Sequence, residues 1–296
     1  MKLNKRNAYK IWIYVFLSLF SLCFIIPLVM LFSVSFSTEQ DILEYGFSLI
    51  PRTFSTMAYQ FVFNSPDSLI DAYVVTVLYT ITGTAISITV MALCGYALAR
   101  NNFAYKKMVT VYLLITMFFS GGLFPSYILR TQYLGLQNNI FVYLFSGGVV
   151  VPSIIFIFRT FFKQLPASLV ESACLDGASE MTILFKIVIP LSKPVIITYA
   201  LFGAIGRWND YETSLYYITD KKLYTLQYML QQVLKESDMI KQTMQMIPGG
   251  MENISTIPSE TLKFALCVLA LIPMLLSFPF FQKYFSRGMT VGAVKG

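Results

Sequence analysis

The chain has 296 residues, of which 56% are hydrophobic and 12% charged, with a mean hydropathy of +0.64 and a formal net charge of +7. Water-soluble domains carry about 25% charged residues, so an ordinary globular protein is excluded. Histidine is absent, which removes Ser–His and Cys–His nucleophiles, H-E-x-x-H zinc sites and histidine proton relays.

A membrane span needs roughly 20 mostly apolar residues. In chain order, the stretches 11–36, 72–99, 108–129, 140–158, 187–206 and 264–282 qualify. The first is too long for a removable signal peptide, and no A-x-A-like cleavage site follows it. These runs are continuously apolar rather than alternating over about ten residues, so they predict helices and not a barrel. The expected fold is all-α, a polytopic membrane protein with six transmembrane helices. Pro27, Pro152, Pro190, Pro194, Pro273 and Pro279 fall in or beside these runs. Each lacks a backbone donor and is expected to bend its helix.

The charges give an orientation. Lys2, Lys5, Arg6 and Lys10 precede the first span; Arg100, Lys106 and Lys107 lie between the second and third. Arg159, Lys163 and Lys186 flank the connection before the fifth span, and Lys283, Arg287 and Lys295 close the chain. The short connections on the other side carry only Arg52 and Arg130, with Glu39, Asp41, Glu44, Asp67 and Asp71 in the first. The positive-inside rule then predicts that both termini and the segment 163–186 are cytoplasmic. Orientation accounts for the basic excess, so no nucleic-acid partner is expected; membrane lipid is. The segment 37–71, with turn signals at Pro51 and Pro66, and the longer 208–260 are expected outside. The second contains an amphipathic pattern over 223–241.

The segment 171–194, E-S-A-C-L-D-G-A-S-E-M-T-I-L-F-K-I-V-I-P-L-S-K-P, is a polar, glycine-broken insert between apolar runs. Pro166 suits a helix start. Val170, Ala173, Cys174 and Gly177 follow at i, i+3, i+4 and i+7, a face of small or β-branched groups that would admit another backbone. Glu171 lies on a neighbouring face, where it could meet a basic side chain of a partner. Gly177 is expected to take φ > 0 and end the first helix, and Ser179 or a neighbour to cap a second. The product is a compact knob.

Glu171, Ala173, Asp176, Gly177, Ala178, Ile187 and Pro190 match the cytoplasmic signature loop of ABC-importer permeases, E-A-A, D-G-A, then I-x-L-P. Ser172 and Ile189 are conservative departures. The region 72–282 resembles the permease domain of carbohydrate-uptake ABC importers. Gly122, Pro125, Leu134 and Gly135 resemble that branch's G-L-x-P-x-Y…L-G-L segment, and Trp208-Asn209-Asp210 its W-N-E/D-F. The closing G-M-T-V-G-A-V-K-G over 288–296 resembles the tails of the oligosaccharide-handling subgroup. The resemblance implies a type I ABC-importer permease fold in a bacterial plasma membrane. It assigns 1–71 to the cytoplasmic N-terminus, first span and external loop, 72–282 to the core permease domain, and 283–296 to a cytoplasmic tail. It implies ATPase coupling through Glu171, Ser172, Ala173, Asp176, Gly177, Ala178 and Pro190. The implied partners are two copies of a cytoplasmic ABC ATPase, a second and different permease chain, and an extracellular solute-binding protein.

No G-x-x-x-x-G-K-[ST] phosphate loop occurs, so this chain is expected to bind no cofactor, with ATP and magnesium on the partner ATPase. It is read as a transport subunit and not an enzyme. Cys23, Cys94, Cys174 and Cys267 are scattered without C-x-x-C spacing, so neither a disulfide framework nor a metal site is expected. The six runs hold no Asp or Glu and only Lys193 as a charge. Proton-driven carriers usually hold acids at membrane depth, which disfavours a secondary carrier or channel; a sodium site of backbone carbonyls escapes that test. Trp208, Asn209, Asp210, Tyr211, Tyr216 and Tyr217 combine rings and polar groups suited to sugars, or to a delivering binding protein. The same residues would also make an interfacial aromatic belt.

Overall fold

The computed structural model describes residues 5–64, 66–146, 148–246 and 259–292. Lys2, Lys295 and the end of the 288–296 motif lie outside them. In chain order the helices are α1 (Lys5–Ser35), α2 (Glu39–Tyr45), α3 (Met57–Phe63), α4 (Pro66–Ala99), α5 (Lys106–Phe118) and α6 (Leu123–Ile128). Then come α7 (Val142–Ser146), α8 (Pro152–Lys163), α9 (Ala167–Leu175), α10 (Glu180–Ile183), α11 (Ile189–Leu191) and α12 (Lys193–Trp208). The last are α13 (Glu212–Tyr217), α14 (Leu226–Gln245) and α15 (Glu260–Gly292). No strand occurs among the described residues, only an isolated bridge between Ser37 and Phe54. Without water to bond the backbone, a bilayer selects helices, and the all-α expectation holds.

Three helical stretches are long and apolar enough to cross a bilayer: Tyr9–Ser35, Ser68–Ala99 and Glu260–Pro279. Three more crossings are bent pairs, Lys106–Phe118 with Leu123–Tyr133 at 114°, Pro152–Lys163 with Ala167–Leu175 at 77°, and Glu180–Leu191 with Lys193–Trp208 at 83°. Up to six spans result. Three of the expected runs are not single helices: the run 108–129 divides into α5 and α6. The run 140–158 divides into α7 and the start of α8, and the run 187–206 breaks at Ser192. Irregular backbone at membrane depth needs other partners for its polar groups. Here the buried Ser87 hydroxyl on α4 donates to the Val149 carbonyl at 2.8 Å, between α7 and α8.

Three of the prolines stand beside helix breaks. Pro152, Pro190 and Pro194 occupy the first turns of α8, α11 and α12, where the missing N–H is no loss. Pro27 sits inside an uninterrupted α1. Pro66 opens α4 rather than making a turn. The sharpest bend follows Phe119 and precedes Gly122, whose φ of 78° favours glycine. The pattern over 223–241 is the 20-residue α14.

By contacts the chain forms two compact units, Met1–Leu69 with Leu230–Pro273, and Ile70–Met229 with Met274–Gly296. In the first, Thr38 caps α2: its hydroxyl donates to Asp41 at 2.8 Å and accepts the Asp41 N–H. The Thr38 and Thr53 bonds hold the half-buried Asp41 carboxyl below its usual range. Phe36 stacks between Phe54 and Tyr59. Most of α1 is exposed, as a helix facing hydrocarbon would be.

The second unit has one main core, built by Met91, Tyr96 and Leu98 of α4, Leu113 of α5, Ile155, Phe158 and Phe162 of α8, and Ala173, Ile183, Leu184 and Val188. Helices α4 and α8 meet at Gly95. A Cβ there would stand 2.8 Å from Phe158 Cβ and 3.3 Å from Arg159 N and Ile155 O. Backbone cannot yield as a side-chain tip can, so Gly95→Ala is expected to destabilise the protein by about 1–3 kcal/mol. Thermal unfolding in detergent measures this; an unchanged midpoint would show that the two helices separate freely.

Candidate functional site

Two places in the second unit concentrate polar residues. The first is the knob between α8 and α12. Helix α9 ends in a pair of bonds, Ala178 N–H to Ala173 O at 2.9 Å and Gly177 N–H to Cys174 O at 3.1 Å. This is a Schellman closure, and it demands the Gly177 φ of 79°. Ser179 then caps α10 by accepting the Thr182 N–H at 3.3 Å. A π-helical turn, Leu184–Val188, carries α10 into α11, which holds the exposed Pro190.

The knob faces otherwise than expected. Val170, Ala173 and Ala178 pack on this chain's own core, so the small-residue face is largely used internally. Cys174 is exposed but lies 3.9 Å from Arg100 Nη2. The outward face is Ser168, Glu171, Ser172 and Leu175, at i, i+3, i+4 and i+7; Asp176 and Gly177 are exposed beside it. Leu175 is 89% exposed. Sequence reasoning missed it, although the same helical offset reveals it.

A second omission is the tether at the base of the knob. Arg100 pairs with Glu180 at 2.7 Å, and the Tyr96 hydroxyl donates to the other Glu180 oxygen. The ion pair is partly exposed, and such pairs contribute about 0–1 kcal/mol. Its effect is therefore directional: it ties α10 to the end of α4.

The second place is a cavity of about 600 Å³ near the Trp208 end of α12. Asn209, Asp210, Tyr211, Tyr216 and Tyr217 line it, as do Tyr79, Ser87, Arg130, Tyr199, Arg207 and Glu212. Trp208 does not line it: it is buried, with its ring tilted against Tyr73. Five of the six aromatic and polar candidates thus converge. Polar fastening shapes the wall. Asp210 accepts from Tyr79 at 3.0 Å, Thr213 Oγ1 at 2.6 Å and Thr213 N–H at 3.1 Å. The Tyr143 hydroxyl, Ser214 and Thr225 form a buried chain of bonds behind it. Asn138, at φ 53°, joins the turn after Gly135 to Thr219 and Asp220.

Arg130 and Arg207 are the basic residues of the lining; in the sequence Arg130 counted only as an outward charge and Arg207 not at all. Arg130 donates to the Tyr217 hydroxyl at 2.7 Å and lies over that ring at 5.3 Å. Arg207 escaped because the expected span stopped at 206, whereas α12 continues to Trp208. The cavity is of a size that holds small ligands, with rings for apolar faces and amide, carboxylate and guanidinium groups for hydroxyls or charge. Another, smaller cavity, about 330 Å³, lies beside the tether and includes Tyr96, Arg100 and Glu180.

This chain is similar over its length to transport proteins. Polygalacturonan/rhamnogalacturonan transport system permease protein YtcP of Bacillus subtilis (strain 168) is 35% identical over 292 residues, 99% of this chain and 100% of the relative. Arabinooligosaccharides transport system permease protein AraQ of the same organism is 27% identical over 297 residues, 98% of this chain and 97% of the relative. Among solved structures, a bacterial ABC transporter involved in the import of the acidic polysaccharide alginate matches with a TM-score of 0.80 and 27% identity, over 96% of this chain and 99% of that one. The family described as binding-protein-dependent transport system inner membrane component matches residues 92–291. With two thirds of the sequence inside that match, bent helical spans and no strand among the described residues, this chain belongs to that family as a membrane-embedded permease component.

Proposed function

We propose that this chain is the permease of an ATP-driven importer of oligosaccharides, coupled to a separate ATPase through the knob at 171–194. The relatives named above handle polygalacturonan/rhamnogalacturonan and arabinooligosaccharides, and the similar solved transporter imports alginate; these names are the ground for an oligosaccharide cargo. The observation that carries the coupling reading is the outward face of α9. An apolar tip at Leu175 beside Glu171, Ser172 and Asp176 suits insertion into a polar-rimmed cleft of another protein. The core residues Ala173 and Ala178 and the turn at Gly177 make the knob rigid.

In this reading two ATPase copies grip this chain and a second, different permease, and hydrolyse ATP with magnesium. Closure displaces the knob, and the breaks at Ser192 and before Gly122 let the helices swing between inward- and outward-open states. The core permease domain is 72–282. The segment 208–260 faces outward, where a solute-binding protein delivers cargo to Asn209, Asp210, Tyr211, Tyr216 and Tyr217. The basic N-terminus and the tail 283–296 lie in the cytoplasm.

Purification from the native membrane is expected to bring down a nucleotide-hydrolysing subunit. Vesicles holding this chain alone are expected not to concentrate sugar, and vesicles holding the full complex to do so only with internal ATP. Uphill uptake by the single chain, driven by an ion gradient, would establish a secondary carrier instead.

A further inference from the structure

We propose that the cavity beside α12 binds an acidic sugar, with a carboxylate of the cargo pairing to Arg207. This rests on the transport reading above and narrows its substrate class.

Arg207 is only 6% exposed and lies on the cavity wall. Two glycines make its seat. A Cβ at Gly83, on α4, would meet Arg207 Nε at 2.7 Å and Cδ at 3.0 Å; one at Gly203 would meet Nη1 at 3.1 Å. Small residues in spanning helices usually let two backbones approach. Here the space they leave is filled by a guanidinium.

That guanidinium is under-supplied with acceptors. Nη1 donates to the Gly203 carbonyl at 3.2 Å, and the buried Nε has no hydrogen-bond partner. Arginine carries five N–H donors and cannot discard its charge. No ion pair to a described residue forms at Arg207. Of the two acids in the lining, Asp210 already accepts from Tyr79 and Thr213, while Glu212 is exposed. Arg130, the other cation of the wall, is engaged by Tyr217 and the Phe145 carbonyl. Among the charges of the lining, Arg207 is thus the one both buried and left with an unfilled donor. A charged residue within a spanning helix and facing a cavity points to a substrate path, and a planar donor fork is matched by a carboxylate. Rings of Tyr199, Phe202 and Tyr216 on the same wall offer faces to the sugar.

The test uses the complete complex in lipid nanodiscs and vesicles, with trigalacturonate and its neutral methyl ester as probes. Wild type is expected to bind and import the acid in preference to the ester. Arg207→Gln is expected to weaken acid binding by about 10- to 100-fold, the worth of a charge-assisted bond, and to leave ester binding within a few-fold. Gly83→Ala, which displaces the guanidinium but keeps its charge, is expected to weaken acid binding in the same direction. Assembly of each variant is followed by its co-purifying ATPase and by ester binding. Equal loss of both probes in Arg207→Gln, or retention of acid binding, overturns the inference. Import of the ester but not the acid by wild type also overturns it while leaving the oligosaccharide reading intact. Import of neither probe overturns the acidic-sugar inference alone, since the oligosaccharide reading is decided by the vesicle test above.

Discussion

Replacing Glu171 by lysine is expected to cut ATP-driven uptake by about 100-fold while the protein stays in the membrane at its normal level. Glu171 is exposed on α9, so the substitution disturbs no internal packing. On the proposed docking face it puts a cation where an anion meets a basic partner. Reversing one member of a desolvated interfacial pair costs at least about 2–5 kcal/mol, and roughly 3 kcal/mol is a factor of 100 in affinity. Leu175→Asp attacks the neighbouring apolar tip and is expected to act in the same direction. Uptake, immunoblots of membranes and recovery of the ATPase with the purified permease measure the three quantities needed. Full uptake and full ATPase recovery in both variants would remove the knob from the coupling path. Loss of the protein itself would instead mark Glu171 as a folding residue.

The second large effect concerns stability and lies in the other compact unit. Glu39 opens α2 and is buried, yet its carboxylate is fully used. One oxygen accepts from Ser259 Oγ and the Glu260 N–H, both at 2.8 Å; the other accepts from the Thr261 N–H and Thr261 Oγ1, both at 2.9 Å. The first N–H groups of a helix have no partners within it, so Glu39 caps the start of α15 from a distant part of the chain. Its negative charge also suits the positive end of the helix dipole. Glu39→Ala leaves these donors buried and bare. The expected loss is about 3 kcal/mol, seen as a lower midpoint of thermal unfolding in detergent. Glu39→Gln keeps one acceptor oxygen and is expected to fall between. If Glu39→Ala melts with wild type, water replaces the carboxylate and the cap contributes nothing.

Local conformation was legible where it depends on residues close in sequence. Asp176-Gly177 with Ser179 was enough to place a glycine turn and a following cap, because positive φ and capping are decided within a few residues. The pattern over 223–241 foretold α14 for the same reason. The apolar runs likewise implied helices, since a continuously apolar run without alternation can pair its own backbone in hydrocarbon only as a helix.

What lay beyond reach was every feature that depends on a distant partner. The break between α7 and α8 is tolerated because Ser87, some sixty residues away, bonds the carbonyl at Val149; an apolar window contains no record of that. Which face of α9 turns inward was decided by the core around Ile155 and Phe158, which took the small side that α9 had been expected to offer a partner. Arg207 needed Gly83 from another helix to become a buried cation on a cavity wall. Sequence alone therefore determined that this is a helical membrane protein with a capped polar knob. Tertiary structure decided which side chains of the knob are available and which charge faces the cavity, because burial and pairing depend on contacts between residues far apart in the chain.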